Sequence, residues 1–315
     1  MKIAVLEGLG ISAQAMEALE APFVAAGHTF AHYDRTADAE ALKRELAGAE
    51  AAILANMPLP AAAVESAEAL RFIDVAFTGV DHVPMQVTAQ RGITVSNASG
   101  YSNEAVPELT VAMALGLARN IAQSEAACRA LGTKAGLVGF ELKGKTVGIV
   151  GLGNIGRRSA ELFHAFGCRI LATSRHTHPD CPDYVTETTL EQVLTESDFV
   201  VLHCPLTPET RGMIDRERLA LMKPSAMLIN MARGPVVVAQ DLADALNEGR
   251  IAGAGVDVFD KEPPLNAGEP LLHAAHTLLT PHTAFATRES MQLRAEIVFA
   301  NLRAWMDGHP QNVKA

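Results

Sequence analysis

The sequence has no close pair of cysteines, no dense run of basic residues and no long apolar stretch. Its four cysteines, Cys128, Cys168, Cys181 and Cys204, include no C-x-x-C pair. They therefore predict reduced thiols in a cytoplasmic protein, with neither a disulfide framework nor a metal site. The formal net charge of −10 argues against nucleic acid or an anionic membrane as the main partner. No apolar stretch approaches the roughly 20 residues that span a bilayer. The short apolar run after Met1 predicts a strand, not a signal peptide.

Short apolar runs alternate with helical patterns along the whole chain. This alternation predicts an α/β fold with parallel sheets and helices on both faces. The 315 residues suffice for two domains. Polar breaks near 97–103 and 283–288 predict two Rossmann-like domains, one inserted into the other. The predicted substrate domain comprises 1–98 plus 287–315, and the dinucleotide-binding domain comprises 99–286.

The longest helical pattern runs from Glu104 to Ala130 and is rich in Ala, Leu, Val and Met. Such a helix is apolar on most of its faces. We therefore expect it to be buried, either between domains or against another subunit.

A glycine-rich turn lies between two apolar runs, Thr146–Val150 and Arg169–Thr173. Its glycines, Gly151, Gly153 and Gly156, have the spacing G-x-G-x-x-G, and a helical pattern follows them. Strand, glycine turn, helix and strand form the context of a dinucleotide-binding fingerprint. The phosphates would bind the free N–H groups at the start of the helix. A simple strand-to-helix turn is the alternative, because glycine turns are common.

No carboxylate follows the second of these strands until Asp180. The first polar side chains there are Ser174, Arg175 and His176. An acidic residue would bind the ribose hydroxyls of NAD and repel a 2′-phosphate, whereas a hydroxyl and a guanidinium would hold that phosphate. The sequence therefore favours NADP over NAD. Alternatively, Arg175 is a solvated turn residue and both cofactors are used.

Three polar residues follow predicted strands of the same sheet. Arg233, Glu262 and His282 each come just after a strand. Each alone is compatible with an ordinary loop residue. Ligands in open α/β sheets bind off the carboxyl ends of the strands, so the shared placement predicts one site.

Taken together, these stretches resemble the D-isomer-specific 2-hydroxyacid dehydrogenase family. The matching stretches are Thr78–Asp81, Gly100–Ala105, Gly151–Gly156, His203–Thr210, Asn230–Gly234, Gly255–Phe259, Glu262–Pro263 and Pro281–His282. The resemblance covers most of the chain in the family's order. It implies a Rossmann domain inserted into a split substrate domain, and a homodimer packed through the dinucleotide-binding domains.

The resemblance also implies roles for individual residues. Arg233 would hold the substrate carboxylate and polarise its carbonyl, His282 would be the general acid/base, and Glu262 would be its partner. The implied substrate-binding residues are Thr78, Gly79, Val80, Tyr101, Arg233 and Phe285. The predicted cofactor-binding residues, with the three polar residues after the second strand included, are Gly151, Gly153, Asn154, Ile155, Gly156, Ser174, Arg175, His176, Cys204, Pro205, Thr210 and Asp257.

The implied reaction is reversible reduction of a small 2-oxo acid to the D-2-hydroxy acid with NADPH or NADH. Phe77 stands where many relatives have a basic residue, which disfavours phosphorylated or dicarboxylic substrates. The run His282–Phe285 is closer to the D-lactate and D-2-hydroxyisocaproate branch, whereas Ser174 and Arg175 favour a glyoxylate or hydroxypyruvate reductase. A nucleotide-sensing, corepressor-like protein and a formate or phosphite dehydrogenase are the remaining alternatives.

Overall fold

The computed structural model describes residues 1–176, 179–262 and 265–314. The chain divides into two compact units. The split unit comprises Met1–Ser102 and Ala286–Ala315, and the inserted unit comprises Asn103–Phe285. Both contain a parallel sheet with helices, so the predicted α/β fold class is confirmed. The predicted assignment of one unit to substrate and the other to dinucleotide stays a prediction.

The split unit contains a five-stranded parallel sheet in the order β2-β1-β3-β4-β5. Its strands are β1 Lys2–Val5, β2 Thr29–His32, β3 Ala51–Leu54, β4 Phe72–Val75 and β5 Thr94–Asn97. Its helices are α1 Ala13–Ala25, α2 Ala39–Leu46, α3 Ala61–Ser66, α4 Met85–Gln90 and, at the end of the chain, α11 Arg288–Met306.

The last helix completes the core of the split unit. It begins with a capping box, in which the Thr287 and Ser290 side chains each accept a hydrogen bond from the other residue's backbone N–H. The ring of Trp305 near its end stacks on Phe72 of β4 at 4.8 Å between centroids. Because Phe72 is completely buried, this contact ties the C-terminal helix to the hydrophobic core beside β4.

The inserted unit contains a seven-stranded parallel sheet in the order β12-β11-β10-β9-β6-β7-β8. Its strands are β6 Thr146–Val150, β7 Arg169–Thr173, β8 Val185–Glu187, β9 Phe199–Leu202, β10 Met227–Asn230, β11 Gly253–Val256 and β12 Thr277–Leu279. Its α-helices are α5 Ala105–Ala118, α6 Ile121–Arg129, α7 Asn154–Ala165, α8 Leu190–Glu196, α9 Arg216–Leu221 and α10 Ala239–Asn247. Short 3₁₀ helices cover Gly234–Val236 and Pro270–His273.

The single long helix predicted from Glu104 to Ala130 is wrong. The backbone leaves the helix after Ala118, and Asn120 adopts a left-handed conformation with φ 50° and ψ 45°. The first half, α5, is largely buried in the inserted unit, as the composition predicts. The second half, α6, has no buried residue. No helix in the described part of the chain is long and apolar enough to cross a membrane.

The register of the inserted sheet aligns the ends of its strands. Asn230 of β10 lies beside Val256 of β11, and Val256 lies beside Leu279 of β12. The segments that follow these strands therefore leave the sheet along one edge. The glycine turn after β6 leaves the same edge, because β6 and β10 both pair in parallel with β9.

Candidate active site

The three glycines of the turn after β6 each meet a different steric demand. Gly151 has φ 102°, and a Cβ atom there would lie 2.7 Å from the backbone N of Cys204. A Cβ on Gly156 would lie 2.0 Å from the carbonyl O of Gly151, so helix and strand approach closely only without a side chain. A Cβ on Gly153 would meet nothing within 4 Å. Gly153 caps α7 without a side-chain hydrogen bond, so the first N–H groups of this 12-residue helix remain available for a phosphate.

These contacts predict opposite outcomes for two alanine substitutions. Gly153→Ala should change the free energy of unfolding by less than about 1 kcal/mol, because its Cβ points into open space and its φ of −74° suits alanine. It should nevertheless weaken dinucleotide binding, because a pyrophosphate needs that space. Gly156→Ala should destabilise the fold by about 1–3 kcal/mol, because its Cβ would overlap backbone. Thermal unfolding and fluorescence titration with dinucleotide distinguish the two. If both variants lowered Tm equally, the different steric roles assigned to Gly153 and Gly156 would be contradicted.

The residues predicted to hold the adenosine end lie after β7, next to the glycine turn. The N–H of Gly151 donates to the carbonyl of Thr173, the last residue of β7. Ser174 Oγ donates to the carbonyl of His176, and Arg175 Nε lies 3.2 Å from His176 Nε2. Arg175 and His176 are exposed. The next two residues of this loop, Thr177 and His178, lie outside the described residues, as do Pro263 and Pro264.

The loop after β9 borders the glycine turn from the other side. Thr210 Oγ1 donates to the carbonyl of Pro205 at 2.7 Å and so closes this loop. The Cys204 side chain packs in the hydrophobic core, where burial raises the pKa of its thiol to about 11. Any cofactor contact at Cys204 is therefore restricted to its backbone. The sequence did not reveal that His203 is held by Ser159 of α7, with Ser159 Oγ and His203 Nε2 2.8 Å apart.

Asp257, directly after β11, shapes the turn that carries His282. Its carboxylate accepts hydrogen bonds from the Thr280 hydroxyl at 2.5 Å and from the N–H groups of Thr283 at 2.8 Å and Ala284 at 3.0 Å. Burial raises the pKa of Asp257, and these three donors act against that rise. The sequence predicted Asp257 as a cofactor residue only. Its role in the turn was missed, because it depends on the fold of a distant loop.

The imidazole of His282 is held by Glu262. Nδ1 of His282 lies 2.5 Å from Oε1 of Glu262, and both side chains are 16% exposed. The other carboxylate oxygen, Oε2, accepts from the N–H of Phe259 at 3.1 Å. A carboxylate accepts only, so the proton of the pair lies on Nδ1. His282 has φ 53°, a left-handed conformation that non-glycine residues rarely adopt and that often occurs at functional sites.

Arg233 follows β10 along the same edge. Asn230 holds the intervening turn, because its Nδ2 donates to the carbonyl of Arg233 at 3.1 Å and its Oδ1 accepts from the N–H of Ala232 at 3.0 Å. Arg233 is half-buried, and its Nη1 donates to the carbonyl of Ala232 at 2.8 Å. A Cβ on Gly234 would lie 2.1 Å from the carbonyl carbon of Phe259, so this turn packs against the segment leading to Glu262.

The remaining predicted substrate residues belong to different units. Phe285 lies in the inserted unit, where its ring meets the imidazole of His282 edge-on at 5.5 Å between centroids. Thr78, Gly79 and Val80 form a loop after β4 in the split unit. Tyr101, in the split unit, is buried beside Phe77 and under the guanidinium of Arg294, which lies 5.8 Å from its ring centroid.

Comparison with known proteins agrees with this architecture. Residues 111–284 match the model of the D-isomer specific 2-hydroxyacid dehydrogenase NAD binding domain. A hydroxypyruvate reductase from Blautia hydrogenotrophica is 32% identical, with 99% of each chain covered. A glyoxylate reductase from Thermococcus litoralis is 40% identical over 79% of this chain and 78% of its own. The crystal structure of D-lactate dehydrogenase from Aquifex aeolicus complexed with NAD and lactic acid is 27% identical, with a TM-score of 0.87 over 98% of this chain and 96% of that one.

The matches extend over both units. They confirm the resemblance drawn from the sequence and the enzyme class that it implied, an NAD(P)-dependent oxidoreductase that interconverts 2-oxo and 2-hydroxy acids. The glycine turn fits a dinucleotide in its steric details. The chain belongs to the D-isomer-specific 2-hydroxyacid dehydrogenase family.

Proposed function

We propose that this enzyme uses NADPH to reduce a short 2-oxo acid, of the size of glyoxylate or hydroxypyruvate, to the D-2-hydroxy acid. The observation that carries the proposal is the contact of Glu262 with His282 beside the end of β12. A corepressor-like binding protein would not need a histidine oriented by a carboxylate. Two relatives, a hydroxypyruvate reductase and a glyoxylate reductase, are named for substrates of this class and so support it.

In the proposed reaction His282 supplies the proton. The reduced nicotinamide, when bound, supplies a hydride to the carbonyl carbon. Negative charge then grows on the carbonyl oxygen, and Nε2 of His282 donates its proton there as general acid. Glu262 stabilises the imidazolium before the transfer and keeps Nδ1 protonated after it, so the neutral ring can accept the hydroxyl proton in the reverse direction.

Arg233 has two roles in this proposal. Its guanidinium binds the substrate carboxylate through a pair of parallel hydrogen bonds, and its charge stabilises the growing oxyanion. The bond from Nη1 to the carbonyl of Ala232 orients the group before substrate arrives. The backbone of Thr78, Gly79 and Val80 is proposed to bind the same carboxylate, and Tyr101 and Phe285 to contact the substrate side chain.

The size limit rests on Phe285. Its ring lies against the imidazole of His282 in a T-shaped contact, so a long substrate chain beside the histidine would have to displace it.

A steady-state panel tests the proposal: glyoxylate, hydroxypyruvate, pyruvate, phenylpyruvate and 2-oxoisocaproate, each with NADH and NADPH. The highest kcat/KM is expected for the two shortest polar acids with NADPH. A preference for phenylpyruvate or 2-oxoisocaproate would contradict the size argument.

The proposed preference for NADPH rests on Arg175. Arg175→Ala should lower kcat/KM for NADPH by about tenfold, through loss of a charge-assisted hydrogen bond, and leave NADH nearly unchanged. The exposed carboxylate of Glu209 opposes this preference. Its pKa is lowered mainly by the Thr207 hydroxyl and to a lesser extent by the positive charge of Arg175. Glu209→Gln should therefore improve NADPH use.

Arg169→Ala is the matched control for these cofactor variants. Arg169 lies at the opposite end of β7, where it pairs with Glu196. Arg169→Ala should leave kcat/KM unchanged with either cofactor. If Arg175→Ala lowered kcat/KM equally with NADH and with NADPH, Arg175 would not bind the 2′-phosphate.

We also propose that the enzyme is a homodimer in which α6 and the segment after it contact a second copy. The support is exposed apolar surface: Ile121 is 57% exposed, Leu131 94% and Val138 84%. Exposed apolar side chains of this size are unfavourable in water, and an interface would bury them. Sedimentation velocity tests the proposal, and a monomeric wild-type chain at micromolar concentration would contradict it.

A further inference from the structure

The side chain of Asn97, at the end of β5, bonds to the loop proposed to bind the substrate carboxylate. Its Nδ2 donates to the carbonyl of Thr78 at 2.5 Å. Asn97 is 1% exposed, so water does not compete for this bond. The contact lies entirely within the split unit.

This hydrogen bond fixes the direction of one peptide plane. In a trans peptide the N–H points away from the carbonyl of the same unit. Because Asn97 holds the Thr78 carbonyl inward, the N–H of Gly79 faces the opposite side. Within the described residues, neither Gly79 nor Val80 donates its N–H to another protein group. Both N–H groups are therefore available for a carboxylate, and Asn97 determines where the first one points.

Asn97 is itself held from both sides by the C-terminal segment. Its N–H donates to the carbonyl of Asn312 at 3.2 Å, and its carbonyl accepts from Nδ2 of Asn301 in α11 at 3.0 Å. Asn301 is completely buried and also donates to Oδ1 of Asp74 at 3.1 Å. These bonds fix the backbone of Asn97 on both of its sides. They therefore set the position from which the buried Asn97 side chain reaches the Thr78 carbonyl.

We propose that Asn97 is a positioning residue for substrate binding: its side-chain amide orients the Thr78–Gly79 peptide so that the backbone N–H of Gly79 receives the substrate carboxylate. This inference rests on the proposed function, because it assigns the loop to a 2-oxo acid. The carboxylate is bound alike before and during hydride transfer. Loss of the hydrogen bond between Asn97 and Thr78 should therefore weaken substrate binding and leave the rate of the chemical step nearly unchanged.

Two substitutions of Asn97 and one control test the proposal. Asn97→Leu keeps a similar side-chain volume and removes the donor, and Asn97→Ala removes the whole amide. Asn312→Gly is the matched control. Asn312 has φ 53°, which glycine accepts, and its side chain bonds Asn301 and not the loop. The control weakens the network and keeps the donor to Thr78.

Both Asn97 variants are expected to raise KM for the 2-oxo acid by about ten- to hundredfold, the value of one hydrogen bond to a charged group. Their kcat should stay within about threefold and their dinucleotide Kd should be unchanged. Hydrogen exchange at the N–H of Phe77, which donates to the carbonyl of Val75 at 2.7 Å, should accelerate when it is followed by NMR without substrate. Asn312→Gly should lower Tm and leave KM and this exchange unchanged.

Unchanged KM and exchange in both Asn97 variants would overturn the proposal, as would an equal rise of KM in Asn312→Gly. The exchange measurement separates this inference from the proposed function. If the wild-type enzyme reduces none of the 2-oxo acids and exchange still accelerates in the Asn97 variants alone, the substrate assignment fails while Asn97 still orients the loop.

Discussion

His282→Asn is expected to lower kcat for 2-oxo acid reduction by about 10²–10⁴-fold, the usual contribution of a general acid. Asparagine lacks a group that can transfer the proton. It also tolerates the left-handed backbone of His282, whose φ is 53°, better than most residues. The loss should therefore reflect chemistry rather than a rearranged turn. Stopped-flow measurement of NADPH oxidation gives the rate, and fluorescence titration should show an unchanged dinucleotide Kd.

His276→Asn provides a matched control for this variant. His276 has φ 52°, lies in the same unit and is exposed. The same substitution on the same backbone conformation should leave kcat within about twofold, as for most surface changes. Similar losses in both variants would show that the backbone of the turns, and not the imidazole of His282, is what the reaction needs.

The central strands were predictable because they are buried on both faces. Strands such as Ala51–Leu54 and Phe199–Leu202 are completely buried, and parallel strands in that environment are continuous apolar runs. Two of the four edge strands, Thr29–His32 and Val185–Glu187, are partly exposed and mixed in composition. They were missed, because neither has an apolar run of its own.

The break between α5 and α6 was not predictable from the helical pattern, which is continuous there. The carbonyl of Ala118 is bonded by the N–H of Phe140 at 2.9 Å. A Cβ on Gly139 would lie 2.1 Å from the same carbonyl oxygen, so residues 139–140 pack directly against the end of α5. A contact between segments so far apart in the chain overrides local helix propensity.

The sequence alone predicted that Arg233, Glu262 and His282 share one sheet edge, because each follows a strand. In the structure, Glu262 contacts His282. The residues that orient this group were not predicted. Asp257 bonds three positions of the His282 turn, and Asn230 bonds two positions of the Arg233 turn. Such bonds depend on loop conformation and strand register, which local sequence patterns do not contain.

Arg233→Lys should lower kcat/KM by about 10²–10³-fold, with kcat decreased and KM for the 2-oxo acid increased. Lysine keeps the positive charge but is a point charge without the planar fork, so it cannot donate two parallel hydrogen bonds to a carboxylate. The arginine also uses Nη1 to bond the carbonyl of Ala232, which fixes the plane of its guanidinium. The single ammonium group of lysine cannot bond that carbonyl and also match both oxygens of the substrate carboxylate. The initial rates should be measured over a range of 2-oxo acid at saturating cofactor.

Arg250→Lys separates this effect from a general cost of replacing arginine. Arg250 is an exposed residue of the same unit and pairs with Glu248. An exposed ion pair of this kind contributes little, so its variant should behave like wild type. The two kinetic constants are informative separately. A rise in KM with unchanged kcat in Arg233→Lys would mean that Arg233 only holds the carboxylate. A fall in both kcat and kcat/KM would show that the guanidinium also stabilises the charge that grows on the carbonyl oxygen, to which His282 is proposed to donate its proton.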